Sequence, residues 1–90
     1  MKIENITWDE ETADHISLHA VSPEEVEEVL FNIYDLPRIM RGKENRYLAY
    51  GKTNAGRFLL VVLITASRKT RIITARDMTE REKKFYRRKK

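Results

Sequence analysis

The sequence has no cysteine, three glycines, two prolines and one tryptophan in its 90 residues. Without cysteine there is no disulfide framework, no thiolate nucleophile and no cysteine-ligated zinc ribbon. The longest unbroken apolar run, Phe58–Ile64, has seven residues, against the roughly 20 that a membrane-spanning helix needs. The N-terminus, MKIENITWDEE, turns acidic at once and carries no apolar signal core. A cytoplasmic protein is expected. Also missing are a P-loop, a G-x-G-x-x-G turn, an acidic cluster with magnesium-ligand spacing, and a Ser/His/Asp arrangement. No repeat or linker interrupts the chain, so residues 1–90 are expected to form one domain with a single core.

What is present is charge, unevenly placed. Residues 1–35 hold one Lys against ten acidic residues, a balance of −9, and residues 36–90 hold 17 Lys/Arg against four acids, a balance of +13. Such asymmetry suits a polyanionic partner for the basic part.

The coarse order is β-α-α-β-β-β-α, an α+β domain with an antiparallel sheet. Alternation over Lys2–Trp8 predicts a short strand, and Asp9 can cap a helix with Glu10 and Glu11 in its first turn. Ala13, Ile16 and Ala20 make that helix's apolar stripe. Ser22-Pro23-Glu24-Glu25 is a capping box with proline at the first helical position. Val26, Val29, Leu30 and Ile33 then give one buried face. Leu36–Met40 reads as a possible edge strand, and Arg46–Tyr50, Arg57–Thr65 and Arg71–Arg76 as further strands. FLLVVLI belongs mid-sheet. Thr79 and Glu82 form a second capping box for a terminal helix to about Arg88.

That last helix carries little to pack with beyond Phe85 and Tyr86. Glu82 and Tyr86 share one face, four residues apart, near the strand-end Arg76. Arg57, Lys83, Lys84, Arg87 and Arg88 are the candidate RNA-binding cations, because phosphate neutralisation supplies most non-specific affinity for nucleic acid. RNA cleavage through its own 2′-hydroxyl needs a base, cations for the phosphate and a proton donor. Glu82 is the candidate base, Arg76 and Arg68 the candidate clamp, and Tyr86 a stacking or proton-transfer group. Against this, Arg81 and Lys83 flank Glu82 and lower its basicity. Glu11, His15 and His19, at i, i+4 and i+8, lack the wider context of a zinc enzyme, so no metal or cofactor is expected. A non-catalytic basic module, binding nucleic acid or an acidic partner, is the alternative.

Four stretches in order, ITWDEETADH, HAVSPEEVEEVL, RYLAYGKTNAGRFLLVVLIT and RIITARDMTEREKKFY, resemble the BrnT family of toxins from bacterial type II toxin–antitoxin pairs. The resemblance implies a RelE-like fold and a metal-independent endoribonuclease that cleaves mRNA and inhibits translation. It also implies an antitoxin partner, typically of the ribbon-helix-helix type, in a hetero-oligomer. Arg76, Glu82 and Tyr86 match the family motif, and Arg68 occupies its cationic position before the last strand. Three positions depart from the pattern: Leu18 for Lys, Ala20 for Gly, and Asp77 where a basic residue is common. Asp77 is expected to pair with Arg76 or Arg57.

Overall fold

The computed structural model describes residues 3–88. Its elements are β1 (Ile6–Thr7), α1 (Glu10–Ser17), α2 (Pro23–Phe31), β2 (Arg38–Arg41), β3 (Tyr47–Lys52), β4 (Phe58–Ala66), β5 (Lys69–Asp77) and α3 (Glu80–Arg87). This is the expected α+β order, with the extra edge strand present as β2. The strands form one sheet in the order β1-β5-β4-β3-β2. β2 to β5 pair antiparallel in sequence, but β1 lies parallel to β5. The sheet is therefore mixed rather than wholly antiparallel. A parallel neighbour needs a long crossover, and α1 and α2 occupy the chain just after β1.

Side-chain chemistry sets the helix ends. The Ser22 hydroxyl accepts from the Glu25 N–H at 3.2 Å, and the Glu25 carboxylate accepts from the Ser22 N–H at 3.1 Å. Thr79 and Glu82 repeat the arrangement at α3, at 3.2 and 2.8 Å. Removing such a cap costs about 1 kcal/mol. Two expected stripe residues lie outside their helices. Ala20 falls after α1 with φ +58°, in the tight reversal that leads to α2. Ile33 falls after α2 and is 75% exposed, because the Asn32 side chain accepts the N–H groups of Tyr34 and Asp35 and turns the chain away.

The core lies between the helical layer and one sheet face. Ile16, Val21, Val26, Val29 and Leu30 pack there with Ala49, Leu59, Val61, Leu63, Ile72 and Ala75. β4 is the central strand, as its continuous apolar run requires. A Cβ on Gly51 would come within 2.9 Å of Val29 Cγ1, so glycine lets α2 settle onto β3. Strand alternation turns the other residues to the opposite face, where α3 covers only one end.

Candidate functional site

Cross-strand register assembles the site. Arg38 faces Tyr50, Tyr50 faces Leu60, and Leu60 faces Arg76, so one row crosses β2, β3, β4 and β5. α3 lies over this row, with its Phe85 ring 4.9 Å from Tyr50 and its Tyr86 ring 6.0 Å edge-to-face from Phe58. Arg38 stacks on Phe85, its guanidinium carbon 4.0 Å from the ring centroid, and donates to the Phe85 carbonyl at 3.1 Å. A cation at that carbonyl suits the negative end of the helix dipole.

Arg76 and Glu82 are brought together. Arg76 Nη1 donates to Glu82 Oε1 at 2.8 Å and Nη2 to Oε2 at 2.9 Å. A second Nη1 bond reaches the Asp77 carbonyl at 3.0 Å. A guanidinium has five N–H donors in a fixed plane. Glu82 takes the end-on edge, so the Nε–Nη2 edge remains, and that edge matches two phosphate oxygens. The Arg76 hydrogen bonds hold the Glu82 carboxyl below its usual range, with the Thr79 N–H adding to this, against the opposing effect of burial. That makes Glu82 a poor base and a good anchor. Tyr50 is pushed up, first by burial and then by the Glu82 charge.

The expected RNA-binding cations divide. Lys83 and Arg87 converge on the Phe58 ring at 5.8 and 5.1 Å, joined by Lys52 at 5.9 Å. Three cations thus surround one half-buried aromatic beside Arg76; Lys52 also pairs with Asp35 at 3.4 Å and Lys83 with Glu80 at 3.3 Å, at the solvent-exposed rim. Lys84 is exposed on α3 and Arg88 is exposed at its C-cap. Arg57 is occupied instead. It donates from Nε and Nη2 to Asp77, from Nη1 to Glu25 and the Ala20 carbonyl, and from Nη2 to the His19 carbonyl, at 2.6–3.3 Å. It ties the α1–α2 turn to the ends of β4 and β5, which is a structural duty. The Arg57 bonds hold the Asp77 carboxyl below its ordinary range, with Lys83 and His19 contributing charge. Of the two partners expected for Asp77, the side chain therefore chooses Arg57.

Two further expectations are corrected by geometry. Arg68 sits in the two-residue β4–β5 turn with φ +65°, roughly 25 Å along β5 from Arg76 at about 3.3 Å per residue. It does not join the Arg76 group. Tyr86 is 4% exposed and packs as the apolar anchor of α3, with burial raising its phenol pKa. Its ring is not open for a base to stack on. His15 and His19 meet edge to face at 5.8 Å; among the described residues no group of three or more His, Asp or Glu is placed to hold a metal.

Arg38, Tyr50 and Lys52 were missed by sequence reasoning. Their strand parity was legible, because Tyr50 alternates with Ala49, but only the register puts them beside Arg76.

The fold is shared with a solved toxin. The crystal structure of the Brucella abortus ribonuclease toxin BrnT at 1.1 Å resolution matches with a TM-score of 0.66 at 21% identity, covering 86% of this chain and 99% of that one. The architecture is thus that of this small α+β structure. A family model described as "Ribonuclease toxin, BrnT, of type II toxin-antitoxin system" matches residues 8–82. The chain belongs to this BrnT family. No protein of curated function matches it significantly in sequence.

Proposed function

We propose that this protein is the toxin of a type II toxin–antitoxin pair and cleaves RNA at the sheet end around Arg76. The 2′-hydroxyl gives its proton to water as it attacks the adjacent phosphorus, the bond to the 5′-oxygen of the next nucleotide breaks, that oxygen takes a proton from water, and a 2′,3′-cyclic phosphate remains. The observation that carries this reading is the Arg76 guanidinium, fixed by Glu82 on one edge while its Nε–Nη2 edge meets no hydrogen-bond acceptor among the described residues. Fixed donors aimed at developing phosphate charge are usually the largest catalytic contribution.

Arg76 binds the scissile phosphate through Nε and Nη2, and Glu82 positions it. Lys83, Lys52 and Arg87 hold neighbouring phosphates around Phe58. Tyr50 and the Arg38–Phe85 stack form the wall against which a base can rest. The biological substrate is mRNA, and its loss stops translation. The antitoxin, of ribbon-helix-helix type, restrains the toxin in a hetero-oligomer.

One observation favours a second reading, a binder without catalysis. Glu82 is committed to Arg76 and Tyr86 is buried, so neither expected proton-transfer group is free. Incubation of labelled single-stranded RNA with purified protein in a chelator separates the two. Fragments ending in 2′,3′-cyclic phosphate are expected. Salt-sensitive binding with no fragments, with or without translating ribosomes, would establish the binder.

A further inference from the structure

α3 leaves much of its sheet face uncovered. Two rows of that face lie beyond the helix: Met40, Leu48, Val62 and Thr74 face one another across four strands, and Ile64 faces Arg71, which in turn faces Thr7. Met40 is 40% exposed, and Leu48, Val62, Ile64 and Thr74 are half-buried. By the same alternation, the strands turn five cations to this face (Arg38, Lys52, Lys69, Arg71 and Arg76) and no acid.

Arg38 and Lys52 lie at the end that α3 covers; beyond the Arg76 row the arrangement is lopsided. There the cations, Lys69 and Arg71, belong to β5, whereas the aliphatic floor belongs to β4, β3 and β2. Counted along their β4 partners, from Leu60 to Ile64 and Ala66, Arg71 lies about 13 Å from the Arg76 row and Lys69 about 20 Å, taking about 3.3 Å per strand residue. Between Lys69 and Arg71 a groove of about 370 Å³ opens, lined also by Thr7, Ile64, Ala66 and Thr70.

We propose that this open face is a track for single-stranded RNA, with Lys69 and Arg71 as a distal phosphate-binding pair. The proposal rests on the RNA-directed reading above and extends its substrate to an extended strand that spans several nucleotides. A polynucleotide has charge along one edge and flat, weakly polar bases along the other. A cationic rail on β5 beside an aliphatic floor on β4 and β3 matches that asymmetry. An acidic amphipathic helix would instead call for cations flanking the floor on both sides.

The double variant Lys69→Gln/Arg71→Gln tests this. The probes are two labelled oligouridylates, about four and about twelve nucleotides long, within the range of single-strand site sizes. Fully 2′-O-methylated versions serve for binding and unmodified versions for cleavage. For the long RNA, the log–log salt slope should fall by about 1.4, or about 0.7 for each lost phosphate contact. Two such contacts correspond to roughly sevenfold in affinity over a fourfold change in salt. KM should rise for the long substrate and stay unchanged for the short one, with kcat unaltered for both. Thr74→Glu, which puts a like charge on the rail midway, should also weaken long-RNA binding.

An unchanged salt slope for the long RNA in the folded double variant overturns the track. So does a loss of binding to poly-glutamate with RNA binding intact, which would assign the face to an acidic protein. If the wild type never cleaves, yet the slope falls as expected, the catalytic reading fails and the track stands.

Discussion

Arg76 and Glu82 meet as a two-pronged pair, Nη1 to Oε1 at 2.8 Å and Nη2 to Oε2 at 2.9 Å, across the junction of β5 and α3. The junction holds only Met78 and Thr79. Met78 is buried at 5% exposure and Thr79 caps the helix, so the strand end and the first helical turn cannot move independently. A cation at a strand end is thereby aimed from two sides.

Glu82→Gln tests whether aiming matters. Glutamine keeps the capping box and one acceptor for Arg76, so stability should fall by no more than about 1 kcal/mol, a modest loss suited to a pair partly open to solvent. A guanidinium loosened by even a fraction of an ångström should lower kcat by roughly 10- to 100-fold with little change in KM. Equal rates for the variant and wild type at saturating RNA would remove Glu82 from the account.

Acid should weaken the fold through the same group. Glu82 and Asp77 both have folded pKa values below their ordinary 4.5 and 3.8, first because of the Arg76 and Arg57 hydrogen bonds respectively. Their contribution is therefore complete above those ordinary values and disappears as pH falls through the depressed ones. Urea melts from pH 6 down to pH 2 should show this loss, and Glu82→Gln and Asp77→Asn should each flatten part of it. An acid limb unaltered in both variants would contradict the assignment.

Arg57 should matter for stability first. Its side chain is 27% exposed and bridges Glu25 and Asp77, along with two carbonyls of the α1–α2 turn. Arg57→Ala leaves all of these unanswered and should cost about 2–3 kcal/mol. Arg57→Lys should recover only part, since an ammonium cannot reproduce the planar fork. Denaturant midpoints measure both. A normal midpoint together with weakened RNA binding in Arg57→Ala would reverse the duty assigned to this residue.

Strained turns predict two stabilising changes. Ala20 at φ +58° and Arg68 at φ +65° occupy the left-handed region that glycine enters freely. Relief of about 1–2 kcal/mol, less the entropy glycine restores to the unfolded chain, leaves a gain of roughly 0.5–1 kcal/mol at each. Arg68→Gly should also cleave short RNA at the wild-type rate, because the turn lies at the far end of β5 from Arg76. A clear fall in that rate would return Arg68 to the reacting group.

Tyr86 separates packing from chemistry. Tyr86→Phe should cleave normally and lose about 1 kcal/mol, whereas Tyr86→Ala should lose 3–5 kcal/mol or so as α3 detaches from Phe58. Abolished cleavage in a stable Tyr86→Phe would give the phenol a chemical part.

Much of the fold was legible because local signals agreed with one another. Ser22-Pro23 and Thr79–Glu82 set their helix starts by capping chemistry alone, and the run Phe58–Ile64 could be satisfied only at mid-sheet. Ile33 was misread because helical spacing continued past Asn32, whose side chain claimed the next two N–H groups. The site was half legible. Arg76 and Glu82 are six residues apart, close enough for local pattern to join them. Arg38, Tyr50 and Lys52 reach the site through strand register, and Arg57 leaves it through long-range carboxylates. None of those relations is written in spacing. The glycine pattern offered one unused signal: the family's glycine at position 20 marks the left-handed turn that Ala20 must adopt here.

The central claim is that Arg76, held on one edge by Glu82, binds the phosphate that is cut. Its most direct test is the single-turnover cleavage rate of Arg76→Ala on a labelled single-stranded RNA, beside a thermal melt of the same sample. A fall of roughly 100-fold or more with a folded, cooperatively melting protein is predicted. Wild-type cleavage by that folded variant would contradict the account.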